Sequence, residues 1–156
     1  MSEILSISES EFAPAGTRQF GTSGEDLAAR FLLKSGYRIA LANFKAPIGR
    51  NRMGVAVTGE IDLIAFDENV LCFIEVKTRR SDEFSSPLSA VDLRKQRQII
   101  RTAKVYRRIF RLTGISFRYD AVSVVIKEDE RAQIELFKSF WTEDRFQKKS
   151  WEREFR

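Results

Sequence analysis

Asp62, Glu75 and Lys77 are charged residues in stretches that should be apolar, and their spacing suggests a metal-assisted site. Residues 57–66 read as a strand. Ile61, Leu63 and Ala65 line one face, and Asp62, Ile64 and Phe66 line the other. Both faces are largely apolar, so the strand is central and Asp62 lies near a core. Residues 70–77 read as the next strand. Cys72, Ile74 and Val76 share one face, and Leu71, Phe73, Glu75 and Lys77 the other. A two-residue turn at Glu68 and Asn69 would set Asp67 against Val70 and Asp62 against Glu75. Directly opposed Cβ atoms lie about 4.5–5.5 Å apart. Two such carboxylates repel unless a cation sits between them. A divalent metal is the economical answer, with Lys77 as the adjacent positive group. A three-residue turn would offset the pair. A buried ion pair of Asp62 or Glu75 with Lys77 accounts for the same residues without a ligand.

Composition narrows the chemistry. There is no histidine among 156 residues, and Cys72 is the single cysteine. Catalysis by Ser-His-Asp or Cys-His pairs is excluded, as are histidine- or thiolate-based zinc sites. Oxygen ligands favour Mg²⁺, Mn²⁺ or Ca²⁺. A third carboxylate, Glu25, shares a helical face with Ala28, Ala29 and Leu32 and points inward or along the core rim. It also stands at capping-box spacing from Thr22, which would satisfy it locally. Both readings stay open and can coexist.

These side chains need a frame. The length suits one compact domain. Residues 1–20 read as a mobile tail, 21–141 as a single domain, and 142–156 as a charged extension with possible helix. A helix follows Thr22 and stops near Gly36. A first strand spans 37–45, and residues 46–58, with Pro47, Gly49 and Gly54, read as a flexible loop carrying Arg50 and Arg52. After the two acidic strands and a polar loop, Pro87 opens a second helix running to about Leu112, ended by Gly114. Strands at 118–127 and 134–141 complete an α/β domain with a mixed sheet, in the order helix, three strands, helix, strand. No apolar run reaches the roughly 20 residues of a membrane helix. The opening residues lack a secretory leader pattern, and a lone cysteine fits a reducing cytoplasm.

Net charge is +5, concentrated between Lys77 and Arg118, where twelve basic residues face three acidic ones. Such a region suits a polyanion such as nucleic acid, and equally a solvated helix face. Arg94, Arg97, Arg101, Lys104, Arg108 and Arg111 form one helical stripe, opposite a core-facing stripe of Ile99, Ala103, Tyr106 and Phe110. Lys95 and Gln96 flank the apolar stripe and could reach the carboxylates. Arg79 and Arg80, just past Lys77, are well placed for phosphate. Asp120 reads as a polar strand start or a supporting residue. Trp141, Phe146, Trp151 and Phe155 suit a partner contact and, more readily, packing of a C-terminal helix on the domain.

Asp62 with Glu75-Val76-Lys77 resembles the signature of PD-(D/E)xK nucleases. Five ordered blocks, GEDLAARFLLKSGY (24–37), GEIDLIA (59–65), FIEVKTR (73–79), AVDLRKQ (90–96) and RYDAVSV (118–124), resemble the YraN family of predicted bacterial endonucleases. The resemblance covers about residues 21–141. It implies a restriction-endonuclease-like fold, similar to Holliday-junction resolvases, and a metal-dependent phosphodiesterase acting on nucleic acid, with branched DNA favoured over RNA. It further implies that Asp62, Glu75 and the Val76 carbonyl hold Mg²⁺ or Mn²⁺. Lys77 would then orient water or stabilise charge, and Glu25 would act through water or on a second ion. Resolvase-like enzymes suggest a homodimer by analogy. A catalytically inactive nucleic-acid-binding or assembly protein of the same fold is the alternative. Ile61 stands where the signature's name has proline.

Overall fold

The computed structural model describes residues 2–7, 23–81 and 91–146. The elements, in chain order, are β1 (Ser2–Ile7), α1 (Gly24–Lys34), β2 (Arg38–Arg50), β3 (Ala56–Asp67), β4 (Val70–Arg80), α2 (Leu93–Ile109), β5 (Phe117–Ile126) and β6 (Ala132–Trp141). The strands form one six-stranded sheet in the order β1-β6-β5-β4-β3-β2. β4 and β5 pair in parallel and every other neighbour is antiparallel. Parallel neighbours need a crossover, and α2 supplies it. This is the mixed α/β architecture expected from the residue pattern.

Each helix covers its own apolar cluster. Leu27, Ala28, Phe31 and Leu32 of α1 pack with Leu63, Cys72, Ile74, Val122 and Val124. Ile99, Ile100, Ala103 and Tyr106 of α2 pack with Ile64, Leu71, Phe73 and Tyr119. Leu71 and Phe73 lie on one face of β4, and Cys72 and Ile74 on the other, so the sheet is apolar on both sides, as a central strand requires. Full burial of one such large side chain stabilises by roughly 1.5–3 kcal/mol.

Several elements differ from the sequence reading. Ser2–Ile7, expected within a mobile tail, is an edge strand paired with β6. Its partners lie more than a hundred residues away, beyond any local pattern. The N-cap of α1 is Ser23 rather than Thr22, and its hydroxyl accepts from Asp26 N–H. The expected loop at 46–58 is mostly strand, with β2 and β3 paired as far as Arg50 and Ala56. Pro47 is tolerated because β2 is an edge, where a missing N–H costs no ladder bond. Asp92 caps α2, with its carboxylate accepting from Lys95 N–H. The expected start at Pro87 lies outside the described residues. Phe110, expected in the core stripe, is exposed because α2 ends at Ile109. Trp141 stacks on Tyr119 and Phe146 lies under Arg97, so both pack on the domain. Trp151 and Phe155 lie outside the described residues.

Candidate metal and nucleic-acid site

The β3–β4 register is the one the two-residue turn demands. Asp67 pairs with Val70, and the ladder runs to Leu63 and Ile74. Glu68 takes a left-handed φ of 52° to close the turn. Beyond Ile74 the strands part. β3 continues along β2, and β4 continues along β5 from Glu75 opposite Ala121 to Arg80 opposite Ile126. The first residues past the fork are Asp62 and Glu75. In place of a backbone bond, an Asp62 carboxylate oxygen accepts the Val76 N–H at 2.8 Å.

The simple face alternation of β3 fails here. Ile61 joins the cluster under α2, whereas Leu63 joins the one under α1. On β2, Phe44 and Ala42 divide in the same way around Asn43, which has a left-handed φ of 53°. Asn tolerates that conformation better than most residues. Asp62 therefore sits at a break in the ribbon, influencing Glu75 on one side and Glu25 on the other.

The electrostatics show a crowded acidic site. Asp62 is 8% exposed, and the Glu75 side chain is 13% exposed. Burial pushes the Glu75 pKa up to about 8, and the charge of Asp62 adds to the effect. Lys95, whose ammonium is 3.7 Å from Glu75 Oε1, works in the opposite direction. Glu75 Oε2 is buried with no N–H or O–H donor in reach, and the Glu75 carboxyl lies within hydrogen-bonding range of the Asp62 carboxyl. Two acids at such range share protons as a pair unless a cation intervenes. The Glu25 pKa is also raised, by burial first and then by Asp62, Glu60 and Asp26, against a hydrogen bond from Asn43. Gly24 permits this approach: a Cβ there would stand 1.6 Å from Thr78 Oγ1.

Among the described residues no three Cys, Asp or Glu side chains converge tightly enough to hold one ion. The carboxylates that could hold a metal here are Asp62 and Glu75, with Glu25 one step further out, influenced by Asp62. The partnerless Glu75 oxygen and the repelling pair fit a hard divalent cation with oxygen ligands.

Lys77 is exposed, two residues beyond Glu75 on the same strand face. The ammonium that pairs with Glu75 is that of Lys95, so Lys95 reaches the carboxylates as its position suggested. Gln96 does not: it is buried and donates to the Val91 carbonyl at 2.9 Å. Arg79, expected to meet phosphate, is buried in the fold, while Arg80 is exposed. Arg50 and Arg52 are exposed at the β2–β3 hairpin, where Arg50 donates to the Gly54 carbonyl. Of the expected stripe, Arg94, Arg97, Arg101, Lys104 and Arg108 are exposed on α2, whereas Arg111 lies past the helix end with a left-handed φ of 53°. Arg94, Lys95, Arg97 and Arg101 line a groove of about 510 Å³ with Ile48 and Val57 of the hairpin.

Asp120 belongs elsewhere. It is fully buried and accepts from Arg118 and from Ser139 N–H. Sequence reading missed Asn43 and Glu60, which influence Glu25. The signal for Asn43 is a residue tolerant of left-handed backbone in mid-strand.

A family model described as Uncharacterised protein family UPF0102 matches residues 24–124. The chain belongs to this family. It is the YraN family named above, and the match spans Glu25, Asp62, Glu75, Lys77 and Lys95. A UPF0102 protein of Prosthecochloris aestuarii is 39% identical over 79% of this chain and 94% of its own length. One of Chlorobium chlorochromatii is 38% identical over 83% of this chain and 97% of its own. One of Myxococcus xanthus is 34% identical over 79% and 89%. No helix among the described residues is long and apolar enough to cross a membrane.

Proposed function

We propose that this UPF0102 protein is a Mg²⁺- or Mn²⁺-dependent phosphodiesterase that cleaves nucleic acid, with structured or branched DNA as the favoured substrate. The observation that carries the reading is the buried Asp62/Glu75 pair at the strand fork, with an unpartnered Glu75 oxygen and Lys95 beside it. A pair this unfavourable is costly to fold, and such groups concentrate at functional sites. The raw proximity also admits a structural ion pair of Glu75 with Lys95, but that leaves the second Glu75 oxygen without a partner.

Asp62, Glu75 and the Val76 carbonyl would hold the ion. When bound, it would polarise the scissile phosphate and acidify a water. The chain's own groups do the rest. Val76 N–H fixes one Asp62 oxygen and so aims the other. Lys95 restrains Glu75 Oε1 and offsets charge at the fork. Lys77, exposed on the Glu75 face, orients the attacking water or stabilises charge on phosphate. Glu25 adds negative potential behind Asp62. The exposed cations of α2 attract the polyanion.

A nucleic-acid-binding protein without cleavage is the second reading. It is favoured by the finding that, among the described residues, no third carboxylate is close enough to share the ion. A cleavage screen over branched, duplex and single-stranded substrates with Mg²⁺ and Mn²⁺ separates the two. Asp62→Asn, Glu75→Gln and Lys77→Ala should each lower cleavage by about 10²-fold or more. Undiminished cleavage in these variants, or none by the wild type on any substrate, overturns the proposal.

A further inference from the structure

We propose that the β2–β3 hairpin is a wedge for nucleic acid with interrupted base stacking. Met53 enters between separated bases, while the groove between the outer hairpin and α2 receives the backbone phosphates. The inference rests on the nucleic-acid reading above and assigns the element that selects branched over continuous DNA.

The hairpin is built to stand alone. β4 leaves β3 at Leu63, yet β2 and β3 stay paired from Lys45 and Glu60 out to Arg50 and Ala56. A lone two-stranded ribbon is marginal in water, and α2 braces this one. Gly59 lies so close to Thr102 that a Cβ would stand 1.9 Å from its hydroxyl oxygen. The Arg101 guanidinium donates to the Ile48 carbonyl, and Gln98 donates to the Thr58 carbonyl at 3.4 Å.

The tip is closed as firmly. The Asn51 side chain accepts from Met53 N–H at 2.9 Å and Val55 N–H at 3.0 Å. Asn51 N–H donates to the Val55 carbonyl, and Gly54 supplies a φ of 77° that other residues rarely adopt. This turn holds Met53 86% exposed and Val55 59% exposed. Turn tips are usually polar, and these two side chains add nothing to the core. An unbranched, polarisable Met adapts its shape to an irregular gap, and apolar side chains of this kind act as wedges at base steps.

Charge identifies the occupant. Arg52 flanks Met53, and Arg94, Lys95, Arg97 and Arg101 line the groove between hairpin and helix against one carboxylate, the α2 cap Asp92. Lys95 links that groove to Glu75. A ligand that meets an apolar tip and a run of cations together is polyanionic and carries flat apolar groups: nucleic acid with open base steps. A branch, flap or nick has already lost stacking that a continuous duplex would have to give up, so these are the substrates the wedge selects.

The test uses a three-way DNA junction with 2-aminopurine at the branch, in Ca²⁺ to suppress cleavage. Wild type should raise the fluorescence. Met53→Ser should abolish the rise and weaken preference for the junction over continuous duplex about tenfold, the scale of one lost base contact. Its thermal melt should match wild type, because Met53 is exposed. If wild type cleaves DNA but Met53→Ser retains the rise and the preference, the wedge is overturned and the phosphodiesterase stands. If no DNA is cleaved but the rise depends on Met53, the wedge stands and cleavage falls. Met53-dependent sedimentation with anionic phosphatidylserine vesicles, without any junction signal, also overturns it.

Discussion

Two buried acidic regions of this molecule are built to opposite rules. Near the β3–β4 turn, Arg118 donates to Asp120 at 3.0 Å, to Asp67 at 2.8 Å and to the Tyr37 hydroxyl at 3.0 Å. Asp120 also accepts from Ser139 N–H, and Lys138 lies 3.4 Å from Asp67. Each carboxylate there has a cation and a hydrogen bond. At the fork, at the other end of the same β3–β4 ladder, Glu75 has one ion pair at 3.7 Å and one orphaned oxygen, with Asp62 as a like-charged neighbour. The first region is a closed network of the kind that fixes a fold. The second is left incomplete, as expected where a ligand completes it.

The largest effect should come from opening the closed network. Arg118→Met removes the cation that serves fully buried Asp120, and should cost about 3–5 kcal/mol in urea denaturation. Equal stability in that variant would erase the contrast between the two regions. A smaller effect of opposite sign should follow at the fork. In metal-free buffer at pH 7, Glu75→Gln removes the cost of keeping this buried carboxyl protonated and should stabilise by about 0.5–2 kcal/mol. Destabilisation there would mean that the Lys95 pair holds the fold.

The smallest effect separates the regions by pH. Burial and Asp62 raise the folded pKa of Glu75 to about 8 from 4.5. Its contribution is therefore full below the unfolded value and is lost as pH rises through about 8. The Asp67 pKa is lowered, chiefly by the Arg118 hydrogen bond. Its contribution is present above the ordinary value and lost as pH falls through the folded one. Metal-free melts should show Glu75→Gln flattening the loss of stability towards pH 8. Asp67→Asn should flatten only the acid limb, by under about 1 kcal/mol, since that pair is partly exposed.

Much of the site was legible from local pattern. The opposed strands, their turn and register, and the acidic pair follow from apolar alternation that a one-residue slip would invert. The core stripe of α2 and the reach of Lys95 follow from helical spacing. What escaped depends on tertiary context. β1 finds its hydrogen bonds on β6. Pro47 and Gly49 read as breakers, but they sit at an edge-strand irregularity inside a braced hairpin. The turnover at Asn43 and Asp62 moves Ile61 to the other cluster, which no strict alternation foresees. Arg79 is buried although its neighbours Lys77, Thr78 and Arg80 are exposed. Gly24 and Gly59 open two of the family-like blocks, and their reason is steric: each meets a threonine hydroxyl where a Cβ has no room.

The central claim is that Asp62 and Glu75 share a divalent cation. Calorimetric titration of Mn²⁺ into the wild-type protein at pH 7, repeated in buffers of different ionisation enthalpy, tests it most directly. One ion should bind per chain with release of a proton from the acidic pair, and neither Asp62→Asn nor Glu75→Gln should bind it comparably. Full-strength Mn²⁺ binding in both variants, or none by the wild type with or without DNA, would contradict it.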